Sequence, residues 1–73
     1  MMLTATEANA LAKVYKEVNE ILRGINVRAK DGEFSLFRYI THGDVKSILI
    51  TNGYHIKDEI DDDSNYRGTH ISW

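Results

Sequence analysis

Residues 33–40 read EFSLFRYI, and their alternation decides the fold class. Phe34, Leu36 and Ile40 fall on one side of an extended chain, with Phe37 and Tyr39 on the other. The residues before this stretch obey a different period. Leu11, Val14, Tyr15, Val18, Ile21, Leu22, Ile25 and Ala29 recur at three- and four-residue steps, which draws one apolar stripe along a helix. Thr4-Ala5-Thr6-Glu7 has the form of a capping box at its start. Asp31-Gly32 offers a left-handed stop at its end. No proline intervenes, so the spacing predicts a helix from about Ala5 to Lys30, roughly 40 Å long. Gly24 inside it costs about 1 kcal/mol against alanine and marks a bend or a close packing contact.

Beyond the strand, Thr41-His42-Gly43-Asp44 reads as a helix start with Thr41 or Asp44 as cap. Val45, Ile48 and Leu49 give this second helix its buried side, and Asn52-Gly53 ends it. Tyr54, Ile56 and Ile60 then alternate with His55, Lys57 and Glu59. Thr69, Ile71 and Trp73 alternate with Gly68, His70 and Ser72, which makes a hairpin. Its loop, Asp61-Asp62-Asp63-Ser64-Asn65, carries like charges that favour exposure. The expectation is a single α+β domain over residues 1–73 in the order α-β-α-β-β. A small antiparallel sheet packs on the helices, with Trp73 on the core side. Whether the first strand is central or at an edge stays open.

Length and composition set the next bounds. A chain of 73 residues buries only about 60% of its unfolded surface, and domains below roughly 70–80 residues usually carry a staple. Without cysteine there is no disulfide, so self-association is the expected staple. The helix exceeds the roughly 30 Å diameter of so small a domain. Leu11, Val14, Val18, Ile21, Leu22 and Ile25 are therefore the expected self-association residues, the bland alternative being a helix end that frays. Nine Lys/Arg against eleven Asp/Glu give a net charge of −2, which argues against nucleic acid as the main partner. No apolar run reaches the roughly 20 residues of a membrane span. Met1-Met2-Leu3-Thr4 lacks the layout of a secretion signal. A cytoplasmic protein is the expectation.

Reactive chemistry finds little support. His42, His55 and His70 lack a ligand spacing, although His55 and His70 could face each other across the hairpin. Asp61-x-Asp63-x-Asn65 fits the start of a calcium loop, but Tyr66 stands where glycine must turn the chain and Ser72 where glutamate should close it. No metal and no cofactor are expected. No cysteine nucleophile or glycine-rich phosphate loop occurs, so an enzyme is not expected. Phe37, Arg38 and Tyr39, joined by Tyr66 and Arg67, are instead the residue types that dominate binding hot spots. They also suit a nucleotide, whose base stacks and whose phosphate pairs with arginine. The plainer alternative tucks Phe37 and Tyr39 under the long helix.

Asp31-Gly32-Glu33-Phe34-Ser35-Leu36, Asn52-Gly53-Tyr54 and Ile71-Ser72-Trp73 together resemble a family of small tailed-bacteriophage proteins. That family's pattern is a long N-terminal helix, a GEFSL turn, a short helix closing on NGY and a terminal ISW. These motifs prescribe turns and core positions, so no functional residue carries over. The resemblance implies the cytoplasm of an infected bacterial host as the setting. It also implies a small protein that binds and redirects or inhibits a host factor, including components or signals of antiviral defence. The leading expectation is thus a non-enzymatic, homo-oligomeric interaction protein. A second is an oligomeric sponge for a nucleotide signal, using Arg38 or Arg67 beside Phe37, Tyr39 or Tyr66. A third is a winged-helix-like DNA binder, opposed by Asp61-Asp62-Asp63 at the hairpin tip and by a second helix offering only Lys46 as a cation.

Overall fold

Thr4 opens the first helix with both halves of a capping box. The Glu7 amide donates to Thr4 Oγ1 at 3.1 Å, and the Thr4 amide donates to Glu7 Oε1 at 3.2 Å. A computed structural model describes residues 2–73. The elements are α1 (Ala5–Lys30), β1 (Ser35–Arg38), α2 (Gly43–Thr51), β2 (His55–Ile60) and β3 (Tyr66–Ser72). This is the expected α+β order. At the end of α1, Gly32 takes φ +82° and the Glu33 amide reaches back to the Arg28 carbonyl at 2.9 Å. The same closure ends α2, where the Tyr54 amide donates to the Leu49 carbonyl at 3.1 Å.

The sheet runs β1-β3-β2, antiparallel throughout, so the last strand in sequence is the middle one and β1 lies at an edge. Leu36, Ile71 and Ile56 stand abreast in one row across it. Both helices cover that face. Val18, Ile21 and Ile25 of α1 meet Ile40, Val45 and Leu49, with Ile71 beneath them. Ile21, Val45 and Ile71 are wholly buried, and truncating such a side chain to alanine costs roughly 2–5 kcal/mol. Trp73 packs on this core and meets Tyr54 edge-on at 6.3 Å, on the side expected of it. Gly24 marks a close packing contact, because a Cβ there would lie 3.2 Å from Leu36 Cδ2.

Several local expectations give way. Phe34, placed with the core by alternation, sits ahead of the first ladder pair, Ser35 with Ser72, and is 72% exposed. Ile60 is also exposed. A register shift follows Glu59, so that Glu59 pairs with Gly68 but Ile60 with Tyr66, and this bulge carries Ile60 past the covered rows. Neither Thr41 nor Asp44 caps α2. His42 holds the cap position with no capping side-chain bond, and Glu17 of α1 instead fastens the two residues that lead into the helix. Its Oε1 accepts from the amides of Thr41 and His42 at 2.9 and 3.1 Å, and its Oε2 from the Thr41 hydroxyl. The first turns of α1, Ala5 to Lys13, are exposed along their whole length.

Candidate functional site

Strand β1 presents aromatic rings, and the sheet determines where they point. Phe37 pairs with His70 of β3 on the face turned away from the helices. Its ring lies 4.6 Å from the His70 imidazole at 48° and occupies the space above Gly68. The ring remains 43% exposed. It does not tuck under α1. Lys57 flanks His70 from the other side, and His70 Nε2 lies 3.7 Å from a Glu59 carboxylate oxygen. His55 pairs with Ser72, one step along, so the two hairpin histidines are diagonal rather than opposed. Among the described residues no three metal-ligating side chains converge.

Tyr39 follows just beyond β1, 59% exposed, with its ring 5.0 Å from that of Tyr66. Tyr66 is held from below by a directed chain of hydrogen bonds. Wholly buried Thr69 has one hydroxyl proton, and it goes to Asp58 Oδ1 at 2.7 Å. The 2.5 Å contact between Tyr66 Oη and Thr69 Oγ1 must then be donated by the phenol. The phenol oxygen in turn accepts from the Ile40 amide at 3.1 Å. At the far end Lys46 Nζ bonds Asp58 Oδ2 at 3.0 Å while lying 4.7 Å over the Tyr66 ring. The Thr69 hydroxyl and then Lys46 hold the Asp58 carboxyl below its ordinary value. No buried side-chain polar atom among the described residues is left without a partner, and the chain of bonds fixes the Tyr66 ring.

The five expected binding residues therefore separate. Phe37 faces outward from the sheet, and the rings of Tyr39 and Tyr66 meet at a tilt of 44° beside its edge. Arg38 turns to the helix side and meets Glu20 at 3.5 Å. Arg67 pairs with Asp61 at 3.7 Å on the hairpin. Phe34 joins the exposed aromatics, a role its place in the alternation did not suggest. Lys46, Asp58 and Thr69, which secure Tyr66, carried no local signal because the elements they join are far apart in sequence.

The expected self-association stripe separates too. Val18, Ile21 and Ile25 belong to the core of their own chain, and Val14 is half-buried against it. Leu11 and Leu22 stay open at 46% and 40%. Between α1 and α2 runs a groove of about 360 Å³, with Tyr15, Leu22, Ile48 and Tyr54 among its lining. At the other side of α1, burial pushes the Glu17 carboxyl up, but the donors from Thr41 and His42 outweigh it and hold the group below its ordinary value. No described helix is long and apolar enough to cross a membrane. None of the family models, curated proteins or solved structures compared with this chain matches it.

Proposed function

We propose that this chain is a non-enzymatic interaction protein that binds a host protein through the aromatic edge of its sheet. The observation that carries the reading is the exposure of Phe34, Phe37 and Tyr39 in and immediately beside the outer strand β1. Aromatic rings dominate contact energies when they are rigid before binding. Gly68 makes room for Phe37, and Tyr66 backs Tyr39, so both rings are held in place in the free protein. An outer strand also offers backbone groups that a partner's extended segment can pair with. The resemblance to tailed-phage proteins supplies the setting, a bacterial host whose factor is redirected or inhibited.

The nucleotide reading has less behind it, since Arg38 and Arg67 each face a carboxylate that a phosphate would have to displace. Photo-crosslinking tests the protein-binding reading. A photoreactive residue at Phe34, installed in bacterial cells, should give one discrete host adduct that is lost when Tyr39 becomes alanine. The same probe at exposed Ser47 on α2 should give none. Equal labelling from both positions, or an adduct only with a second copy of the chain, would overturn the reading.

A further inference from the structure

Helix α1 carries two apolar seams that share a line. Val18 and Ile25 form the common line, and Val14 and Ile21 complete the inward seam against the core. The outward seam is Ala8, Leu11, Tyr15, Val18, Leu22, Ile25 and Ala29, an unbroken alternation of three- and four-residue steps. Val18 and Ile25 lie in the core of their own chain, but the flank beside them is open: Tyr15 is 46% exposed, Leu22 nearly as much, and Ala8 and Ala29 are uncovered. A helix with two such seams has two neighbours to satisfy, and its own chain supplies one.

The surface area says how large the missing neighbour is. The chain exposes 5504 Å², against about 4600 Å² for a compact monomer of this mass. The excess of about 900 Å² matches the roughly 800 Å² that each partner contributes to a stable protein interface. The shape agrees: a radius of gyration of 13.9 Å exceeds the roughly 11 Å of a compact chain this long. Part of the surplus lies in the exposed start of α1, from Ala5 to Lys13, where Leu11 stays 46% exposed.

We infer that the outward seam of α1 is covered by the same seam of a second copy, the two helices running antiparallel about Tyr15. A two-fold axis there makes the contact self-complementary. It sets Ala8, one of the two alanines of the seam, opposite Leu22, and brings Leu11 over Asn19 at the mouth of the groove between α1 and α2. The exposed start of one helix thus lies along the helix pair of the other. The aromatic edge of each sheet is no part of this contact, so the pairing stands or falls apart from the host-binding reading.

Sedimentation equilibrium across the micromolar range tests the pairing. The chain should have twice its 8.4 kDa mass. Leu11→Glu with Leu22→Glu should halve that mass while leaving the far-ultraviolet circular dichroism unchanged. Because the chain has no cysteine, introduced thiols report the register even where the charged variant fails to fold. Ala8→Cys with Leu22→Cys should form a covalent dimer under mild oxidation, and Ala8→Cys alone should not. A wild-type mass other than twice 8.4 kDa, a dimer surviving both glutamates, a silent cysteine pair or cross-linking by Ala8→Cys alone would overturn the inference.

Discussion

Phe37 lies where a side chain on Gly68 would have to be: a Cβ built on Gly68 comes within 2.4 Å of Phe37 Cζ. Gly68 also holds φ +154°, a conformation that residues with a side chain rarely adopt. Gly68→Ala should therefore destabilise the fold by about 2–3 kcal/mol, lowering the melting temperature by roughly 10–20 °C. In a double-mutant cycle Phe37→Ala should relieve part of that loss, since it removes the obstructing ring. Strict additivity in thermal melts would show that ring and glycine act independently.

The chain of bonds through Thr69 gives a second expectation. Thr69→Val keeps the shape but takes a donor from Asp58 and an acceptor from Tyr66, a loss of about 1–2 kcal/mol. Urea titration measures it. Tyr66→Phe should cost a similar amount, because Thr69 and Asp58 stay bonded to each other but the amide of buried Ile40 loses its acceptor.

Acid should act partly through the same aspartate. Its carboxyl is held below the ordinary 3.8 when folded. Its contribution is therefore complete above the unfolded value and is lost as pH falls through the folded one. Asp58→Asn should flatten the acid limb of a stability–pH curve measured down to about pH 3. An unchanged limb would place the acid sensitivity elsewhere.

Glu17 contributes in the same direction, being held below its ordinary 4.5. Glu17→Ala leaves the Thr41 and His42 amides ahead of α2 without their acceptor and should cost about 1–3 kcal/mol, as stripping partners from a hydrogen-bonded group does. Faster amide exchange at Thr41 and His42 would locate the loss. Glu17→Gln keeps an acceptor, so it should retain part of the stability at neutral pH while losing its dependence on acid.

Pairing through α1 has a local signature as well. Amides from Ala5 to Lys13 should gain protection from exchange as protein concentration rises, and Leu22→Glu should abolish the gain. Equal exchange at all concentrations would leave this segment without a neighbour.

What the sequence made legible follows the range of each interaction. The capping box Thr4–Glu7 and the turn at Gly32 involve neighbours, and both were readable, as were the two periods that separate α1 from β1. The start of α2 was misread because Thr41 is engaged by Glu17, 24 residues earlier, rather than by its own helix. The outward turn of Ile60 follows from a bulge that alternation alone does not reveal. The stripe on α1 was visible, but its division into a covered and an open seam depends on where the sheet lies. Phe37 could be assigned to a face, yet its seat over Gly68 depends on β1 pairing with β3, a partnership settled only by the strand order.

That strand order has a kinetic consequence. β2 and β3 are neighbours in sequence and can close as a hairpin early, whereas β1 must wait for β3 to arrive from more than thirty residues downstream. During synthesis the aromatic stretch around Phe37 leaves the ribosome with no strand to join, exposed to aggregation until β3 has emerged. Loss of β3 would strip both other strands of their only ladder partner, so a chain cut short before Tyr66 would keep its helices' sequence and have no sheet to fold them on.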